Sequence, residues 1–512
     1  MAKVTIDGIE VEVPEGINAI EAAKAADIHV PHFCYHPSLS VVGQCRMCLV
    51  EVEGMPKLQA GCATPVKDGM KINVWNEKVD KARKGQMEFL LINHPLDCPI
   101  CDKAGECPLQ DYSFNYGSVA SRYGEFKRTY PGMDRTPIGP HVVQNMNRCI
   151  HCTRCIRFTA EITQTGELGF FKRGASTQVG VYPGVPLDNW MSACVTDICP
   201  TGALTTREFR FESRVWNLDS AESVCNGCDV GCNIFIGHRN GQVYRYRPRV
   251  NPDVNDHWLC DYGRFSYERY ETDRVVVPKV RNDDDYLGIA AWSEAIDAIE
   301  KALRGAKSIA AIYSAEMTNE DAWMARKLFD RVNAKGYLTV DPIGPIKMKS
   351  KTEWLEGTQG APNYRGVQAV IGEGNDVDDL LKNGANVDVL YITDAMFSDR
   401  AKDPAVIANL RKAKFLIVHS WDATHPLCDV ADVLIPGAIH PEKDGTFTNL
   451  QGRVQRINQA YPPKGQAVSD LEALRRVGQR LYPDAEEFRS GDAFDVFESV
   501  RADVSQMAEV SA

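Results

Sequence analysis

The sequence has no long apolar run. The longest, such as KFLIV at 414–418, are far too short to cross a bilayer, which takes about 20 apolar residues. The amino-terminal stretch MAKVTIDGIE lacks the basic start and the apolar segment of a secretory signal. The net charge of −11 is spread over interspersed residues of both signs, so a nucleic-acid-binding surface is not expected. We therefore expect a soluble protein in a reducing compartment, where clustered cysteines bind metals rather than form disulfides.

Cysteine is scarce after residue 260, where only Cys428 remains. Fifteen of the seventeen cysteines fall into four compact groups before that point, and one histidine brings the candidate ligands to sixteen. Each group has four members, as four metal centres would require. Set 1 is Cys34, Cys45, Cys48 and Cys62; set 2 is His94, Cys98, Cys101 and Cys107; set 3 is Cys149, Cys152, Cys155 and Cys199; set 4 is Cys225, Cys228, Cys232 and Cys260.

Pairs of the form Cys-x-x-Cys also build structural zinc sites, so zinc is the alternative for any single set. Three of the four sets have spacings that zinc sites do not use, and several spacings are those of iron–sulfur centres. Four such sets in succession favour iron–sulfur clusters. The chain is therefore predicted to carry electrons.

Set 1 follows a stretch whose local structure can be predicted. Residues 4–13 alternate apolar and polar around Asp7 and Gly8, a strong hairpin signal. Asn18, with Glu21 three residues later, is typical of a helix start with a capping box. A hairpin, a helix and a cysteine-bearing loop resemble the β-grasp fold of plant-type ferredoxins, although the first cysteine gap is longer here. Set 1 is expected to bind a two-iron cluster.

Set 2 contains a histidine, His94, four residues before a cysteine triplet that otherwise lacks a fourth ligand. Imidazole can replace a thiolate on iron, which removes negative charge from the cluster. The alternative is an ordinary surface or core histidine. The preceding segment, VDKARKGQMEFLLINHP at 79–95, has helical periodicity and should present His94 at the helix end. We expect set 2 to bind a four-iron cluster.

Set 3 has the C-x2-C-x2-C spacing of four-iron ferredoxins, with its fourth cysteine, Cys199, far along the chain and followed by Pro200. Cys194 lies nearby and is interpreted as a buried thiol. Set 4 has the spacing C-x2-C-x3-C-x27-C and resembles the small four-iron domain that opens molybdopterin oxidoreductases. A zinc knuckle is the alternative for set 4.

The pattern changes to alternating strands and helices after residue 275. Apolar runs at 308–314, 388–394 and 414–420 predict buried strands, and the helical patterns between them indicate a doubly wound parallel sheet. The stretch 431–455 resembles the pterin-binding segment of molybdopterin oxidoreductases. The positions that carry this resemblance are Glu442, Gly445, Thr446, Asn449, Gly452 and Arg453.

The order of the four sets, the histidine ligand and the trailing domain together resemble the large iron–sulfur subunit family of bacterial complex I, the NADH–quinone oxidoreductase. The resemblance covers nearly all of 1–275 through specific motifs and 276–480 more weakly. Two features depart from the family. The carboxy-terminal part is shorter than in usual members, and set 4 is present although only some members have it.

The resemblance implies a multidomain α+β and α/β fold. The expected domains are a β-grasp 2Fe-2S ferredoxin domain at 1–80, a helical His/Cys3 4Fe-4S segment at 81–138, a 4Fe-4S ferredoxin-like domain at 139–217, a small 4Fe-4S domain of molybdopterin oxidoreductase type at 218–275, a truncated molybdopterin-oxidoreductase-like α/β domain at 276–480 and a tail at 481–512. One 2Fe-2S cluster and three 4Fe-4S clusters are implied. No molybdopterin or molybdenum is expected.

The resemblance also implies electron relay. A flavin subunit would oxidise NADH, and this chain would pass electrons through the two-iron, His-ligated and set 3 centres to a ferredoxin-like two-cluster subunit. Set 4 would stand apart from this route. The implied location is peripheral, on the cytoplasmic side of the inner membrane. No G-x-G-x-x-G follows a strand and no P-loop occurs, so binding of NADH or FMN is not expected in this chain.

Two alternative functions remain open at this point. A catalytic formate dehydrogenase subunit has the same cluster series, but it needs a cysteine, serine or selenocysteine on its metal, and Cys428 is better explained as a core residue. The small electron-transfer subunit of an NAD-linked hydrogenase resembles residues 1–210 only.

Overall fold

The computed structural model describes residues 1–339, 342–349, 354–372, 374–393, 402–489, 491–504 and 507. The chain divides into two compact units, Met1–Leu218 (unit 1) and Asp219–Ala512 (unit 2).

Unit 1 contains small sheets and short helices. Its strands are β1 (Ala2–Ile6), β2 (Ile9–Val13), β3 (Leu49–Val52), β4 (Gln59–Ala60), β5 (Lys71–Asn73), β6 (Thr136–Pro137), β7 (Val142–Gln144), β8 (Leu168–Phe171), β9 (Gln178–Val181) and β10 (Leu204–Thr206). Its helices are α1 (Ala19–Ala25), α2 (Glu77–Leu91), α3 (Pro108–Tyr116), α4 (Arg154–Arg157) and α5 (Cys194–Ile198). The strand orders are β2-β1-β5-β3-β4, β10-β7-β6 and β8-β9.

The predicted hairpin and helix near the amino terminus are confirmed. Strands β1 and β2 pair antiparallel, and Asp7 and Gly8 between them take left-handed φ values of 47° and 86°, as a tight two-residue turn requires. Asn18 caps α1 by accepting hydrogen bonds from two backbone N–H groups. The capping box expected from Glu21 does not form, because the Glu21 carboxylate instead accepts a hydrogen bond from the Tyr35 hydroxyl at 2.9 Å, a long-range contact that local sequence cannot predict.

The predicted helix before set 2 is also confirmed. Asn76 caps α2 by accepting the Val79 N–H at 2.9 Å, and the helix ends at Leu91. The His94 N–H then donates to the Leu91 carbonyl at 3.2 Å, so His94 lies just beyond the helix end, as expected.

Unit 2 is larger. Its strands are β11 (Asp219–Val224), β12 (Asn233–Arg239), β13 (Gln242–Pro248), β14 (Lys279–Arg281), β15 (Leu287–Ile289), β16 (Ile309–Ser314), β17 (Lys335–Thr339), β18 (Pro342–Lys349), β19 (Trp354–Gln359), β20 (Asn375–Asp376), β21 (Val389–Ile392), β22 (Phe415–Ser420), β23 (Val433–Pro436), β24 (Gly445–Thr448) and β25 (Val454–Ile457). Its helices are α6 (Asp261–Arg264), α7 (Trp292–Gly305), α8 (Asn319–Arg331), α9 (Tyr364–Ile371), α10 (Val377–Asn383), α11 (Pro404–Leu410), α12 (Pro426–Val430), α13 (Asp470–Leu481) and α14 (Ala493–Asp503).

An eight-stranded sheet organises unit 2 in the order β15-β14-β23-β22-β21-β16-β17-β20. Pairing is parallel from β23 to β20, which confirms the predicted parallel sheet, and the short strands β14 and β15 add an antiparallel edge. The predicted buried strands form, and position 394 at the end of one prediction lies outside the described residues.

Alternate residues of the central strands enter two apolar cores on opposite faces of this sheet. In β16, Ala311 and Tyr313 pack with α7, α8 and α13, whereas Ala310 and Ile312 pack with α10 and α12. Burial on both faces explains why these strands appear in the sequence as continuous apolar runs. The segment 481–512, expected as a tail, includes α14, whose Phe497 is fully buried in the first of these cores.

Candidate cluster-binding sites

Set 1 comes together from three loops around the small sheet of unit 1. All four cysteines are buried. The Cys34 N–H donates to the Cys45 sulfur at 3.4 Å. Hydrogen bonds from Cys45 and Cys62 hold the pKa of the Cys34 thiol far below its usual value, to about 2, and a hydrogen bond with Cys62 lowers the pKa of Cys48. These contacts link the four sulfurs into one group.

Set 2 lies between the end of α2 and the start of α3. Cys101 and Cys107 are buried, and Cys98 is exposed. The Nδ1 atom of His94 is buried and makes no hydrogen bond within the described part of the chain. Burial, with help from Arg148 and Lys127, lowers the pKa of His94 to about 4. The imidazole is therefore neutral at pH 7, the form that ligates a metal.

Set 3 surrounds a cavity. Cys149, Cys152, Cys155 and Cys199 all line it, together with Pro200 and other residues. Burial raises the pKa of the Cys152 thiol to about 11 and raises the pKa values of Cys149 and Cys155 as well. Buried thiols with raised pKa values lose their protons when a bound cation stabilises the thiolates, so this donor set suits a metal cluster.

Set 4 lies in unit 2, at the end of β11, the start of β12 and the start of α6. The N–H groups of Gly227 and Gly263 donate to the sulfurs of Cys225 and Cys260 at 3.4 and 3.3 Å. A Cβ atom on Gly263 would lie 2.6 Å from the Cys225 sulfur, so only glycine fits there. Burial raises the pKa of Cys225 to about 11. Backbone N–H groups that approach sulfurs in this way are typical of iron–sulfur sites.

The chemistry of the donors in the four sets fits iron–sulfur clusters, because all of them are thiols except for one imidazole. The buried, unpartnered Nδ1 of His94 fits a ligand whose partner is a metal.

Set 3 contacts set 2 directly. The Cys107 sulfur donates to the Pro200 carbonyl at 3.6 Å. A Cβ atom on Gly202 would lie only 2.2 Å from the Cys101 sulfur, so the chain after Cys199 passes close to set 2. Glycine at this position allows that approach.

Several arginines near these sets were missed in the sequence analysis. Arg148 forms a salt bridge with Asp97 of the set 2 loop, in which its Nε and Nη2 atoms lie 3.0 and 2.9 Å from the same carboxylate oxygen. Arg154 and Arg157 donate to carbonyl groups of the set 1 and set 3 loops. A signal was present, because three arginines alternate with the cysteines in R148-C-I-H-C-T-R-C-I-R157.

The two remaining cysteines are buried, as predicted. Cys194 is fully buried in α5, and Cys428 is 3% exposed within an apolar core of unit 2. The Cys428 thiol donates to the Asp422 carbonyl at 3.2 Å. A core thiol of this kind does not favour the formate dehydrogenase alternative.

The pterin-like segment of unit 2 is occupied by contacts within the protein. Glu442 forms a buried salt bridge with Arg274 at 2.8 Å. Thr446 donates from both its N–H and its hydroxyl to the Glu320 carboxylate, at 2.9 and 2.7 Å. The Asn449 side chain donates to the Val230 carbonyl at 3.2 Å. Gly445, with φ of 150°, lies against Glu320, while Gly452 and Arg453 follow at the turn before β25.

Comparison with known families assigns a domain type to five segments of the chain. The matches are a 2Fe-2S iron-sulfur cluster binding domain (1–77), an NADH-ubiquinone oxidoreductase-G iron-sulfur binding region (83–122), an NADH-quinone oxidoreductase subunit 3 ferredoxin-like domain (139–205), an NADH-ubiquinone oxidoreductase NDSU1/NuoG-like 4Fe-4S domain (218–268) and molybdopterin oxidoreductase (374–480). The chain is thus a multidomain iron–sulfur protein with ferredoxin-like domains and a molybdopterin oxidoreductase domain.

Comparison with individual proteins identifies the family of the whole chain. It is 43% identical over 339 residues to the G-type NADH-quinone oxidoreductase subunit of Rickettsia felis, covering 66% of this chain and 50% of that protein. It is 44% identical over 304 residues to the NADH-ubiquinone oxidoreductase 75 kDa subunit of Reclinomonas americana, covering 59% and 43%. It is 43% identical, over an alignment of 600 residues including gaps, to the mitochondrial NADH-ubiquinone oxidoreductase 78 kDa subunit of Candida albicans. The alignment covers 94% of this chain and 82% of that protein. The chain belongs to this family of NADH–quinone oxidoreductase subunits.

The chain spans about half the length of the Rickettsia and Reclinomonas relatives. A solved NAD+-reducing [NiFe]-hydrogenase in the H2-reduced state is 28% identical, with a TM-score of 0.37 over 42% of this chain and 91% of that chain. Among the described residues, no helix is long and apolar enough to span a membrane.

Proposed function

We propose that this chain is the electron-relay subunit of an NADH–quinone oxidoreductase, complex I, and that it does not itself bind NADH or FMN. The observation that carries the proposal is the cavity lined by all four cysteines of set 3 in a chain of this family. Bound clusters would supply one-electron chemistry at each set. The protein's part is to hold the thiols, exclude water and fix the distance between neighbouring sets.

Each set is proposed to hold one cluster. Set 1 would hold the 2Fe-2S cluster, and sets 2, 3 and 4 would each hold a 4Fe-4S cluster. His94 would be the single nitrogen ligand. Its burial, its neutral form at pH 7 and its unpartnered Nδ1 support this assignment.

The contacts favour set 3 as the middle position of the route. Arg157 donates to carbonyl groups of both Cys34 in set 1 and Cys152 in set 3. The chain after Cys199 of set 3 lies against Cys101 of set 2. Because electron transfer needs short steps, we propose the order set 1, set 3, set 2, rather than the order of the sets along the sequence. Set 4 is proposed to lie off this route.

The proposed domains are residues 1–80, 81–138, 139–217, 218–275, 276–480 and 481–512. We propose a β-grasp fold for the first domain, supported by the five-stranded sheet and α1. The division of the chain at Leu218 supports a boundary between the third and fourth domains.

The truncated molybdopterin-oxidoreductase-like domain is proposed to be a scaffold without a pterin. The side chains of Glu442, Thr446 and Asn449 are already engaged by Arg274, Glu320 and the chain near set 4. Detection of a bound pterin in the purified protein would contradict this part of the proposal.

The proposed partners are those of the complex. A flavin subunit would deliver electrons, and a ferredoxin-like two-cluster subunit would receive them, with other peripheral-arm subunits nearby. The proposed location is the cytoplasmic face of the inner membrane, held there by the complex. The family names of the relatives support this assignment.

The proposal is tested by comparing two ligand variants in the assembled complex. Cys152→Ser should abolish NADH–quinone turnover, because set 3 lies on the route. Cys228→Ser in set 4 should impair assembly yet leave turnover nearly normal. Activity must be normalised to assembled complex, since assembly defects mimic transfer defects. Normal turnover in assembled Cys152→Ser complex would overturn the relay function, and equal inactivity of both variants would overturn the side position of set 4.

A further inference from the structure

The buried side chain of Arg157 in α4 joins two cysteine loops. Its guanidinium donates to the carbonyl groups of Cys34 and Ser40 in the set 1 loop. The same guanidinium donates to the Cys152 carbonyl of set 3 at 3.4 Å, and its Nε donates to the Thr153 hydroxyl at 3.2 Å. One planar cation therefore bridges loops that lie more than 100 positions apart in sequence.

Arg154, one helical turn earlier, makes a parallel bridge. Its guanidinium donates to the carbonyl of Tyr35, the residue after Cys34. It also donates to the carbonyl of Ile198 at 3.1 Å, the residue before Cys199. Both loops of set 3 are thus tied to the loop of set 1.

Neither cation is neutralised within the described part of the chain. Among the described residues, the hydrogen bonds of both guanidinium groups go to carbonyl or hydroxyl oxygens, and none goes to a carboxylate. Burial lowers the pKa of the Arg154 guanidinium, and the nearby Cys152 and Cys199 of set 3 and Cys45 of set 1 oppose that shift. Two positive charges, that of the buried Arg157 and that of the half-buried Arg154, therefore lie between these two sets.

We propose that Arg154 and Arg157 are positioning residues that fix the set 1 and set 3 loops against each other and raise the reduction potentials of both centres. The inference rests on the proposed function. Reduction adds one negative charge to a cluster, and a nearby cation in a poorly solvated site stabilises that charge. Arginine suits this role because its rigid fork bonds several carbonyls at once, whereas lysine offers a single point charge.

The test is a redox titration, monitored by electron paramagnetic resonance, of the full chain reconstituted with iron and sulfide. Arg157→Gln should keep both signals and lower both midpoint potentials, at least one of them by about 59 mV, a roughly tenfold change for a one-electron step. Arg157→Lys should shift the potentials less, because the charge remains. Arg173→Gln, an exposed arginine in the same unit, is the matched control and should leave both potentials unchanged.

An unchanged potential at either centre in Arg157→Gln would overturn the inference. If that variant fails to retain both clusters, Arg154→Gln is titrated instead, and the same shifts support the inference while an unchanged potential at either centre overturns it. If both glutamine variants lose a cluster, retention in Arg157→Lys supports a requirement for the charge, and loss there too overturns it by leaving only a structural role. Absence of these signals in the unmodified protein would count against the proposed function instead.

Discussion

The two units of this chain differ in the interactions that stabilise each of them internally. Unit 2 is built on an eight-stranded sheet with a large apolar core on each face, and it contains one candidate ligand set. Unit 1 has sheets of five, three and two strands and contains three ligand sets. Near those sets, buried arginines such as Arg83, Arg148 and Arg157 donate to backbone carbonyls or pair with a carboxylate.

The comparison separates a region that can fold through apolar packing from one that depends on its ligand sets. In unit 1, six of the residues in one core cluster of eight are cysteines or methionines (Cys34, Cys45, Met47, Met87, Cys107 and Cys152). Thiols that gather in the core only around a metal contribute little without it, because metal binding then supplies folding free energy. We therefore expect unit 1 to respond more strongly than unit 2 to changes at the sets.

Removal of iron should have the largest effect. It should lower hydrogen-exchange protection in unit 1 and leave protection in the eight-stranded sheet of unit 2 unchanged. Anaerobic chelation should reduce the hydrogen-exchange protection of the set 3 segment 149–157 by roughly tenfold or more, because its loops lose their shared partner. Amides of β16 and β22 should keep their protection. Equal loss of protection in both units, measured by mass spectrometry, would contradict the distinction.

Replacement of His94 tests one set within unit 1. His94→Ala should remove or alter a single four-iron signal and leave the other signals as internal controls. His94→Cys should retain a cluster with a lower reduction potential, because a thiolate adds negative charge. Electron paramagnetic resonance under graded reduction gives both results. A spectrum of His94→Ala identical to that of the unmodified protein would contradict the assignment of His94 as a cluster ligand.

The buried carboxyl of Glu320 is expected to make the stability of unit 2 depend on pH. Burial raises the pKa of Glu320 from 4.5 to about 7, opposed by the two hydrogen bonds from Thr446. Between those values the folded state binds more protons than the unfolded state, so stability falls as pH rises, by up to about 1.4 kcal/mol per pH unit.

Glu320→Gln should remove this contribution, because the amide does not titrate. Chemical unfolding of iron-loaded protein across that pH range should show a flatter dependence for the unit 2 transition. Glu271→Gln, which changes an exposed carboxylate of the same unit, is the control. An unchanged pH dependence in Glu320→Gln would contradict the assignment.

The smallest effect is expected at the cap of α1 in unit 1. Asn18→Ala should lower the free energy of unfolding by about 1 kcal/mol, because two N–H groups lose their acceptor. Asn18→Ser keeps a capping oxygen and should recover most of the loss. Thermal unfolding of the iron-loaded protein measures both, and equal stability of all three proteins would contradict the cap.

Local patterns predicted much of the fold. The hairpin at Asp7 and Gly8, the cap at Asn18 and the buried strand β16 follow from turn chemistry, capping and apolar runs, all of which act over a few residues. The antiparallel edge of β14 and β15 was not predicted, because strands of three residues leave almost no periodicity.

The spacing of the candidate ligands in the sequence was enough to group them into sets. It was not enough to predict which residues surround each set. Arg157 approaches Cys34 across 123 positions of sequence, and Thr446 approaches Glu320 across 126. Contacts of this range depend on the tertiary fold. The sequence shows which residue types are present, whereas the pairing of a buried cation with a distant loop appears only in three dimensions.

Metal analysis of the full chain, reconstituted anaerobically with iron and sulfide, tests the central claim most directly. One two-iron and three four-iron clusters predict about fourteen iron atoms per chain, with a matching amount of acid-labile sulfide and no zinc. Zinc in place of any cluster, or fewer than about twelve iron atoms per folded chain, would contradict the assignment of four iron–sulfur centres to these sixteen ligands.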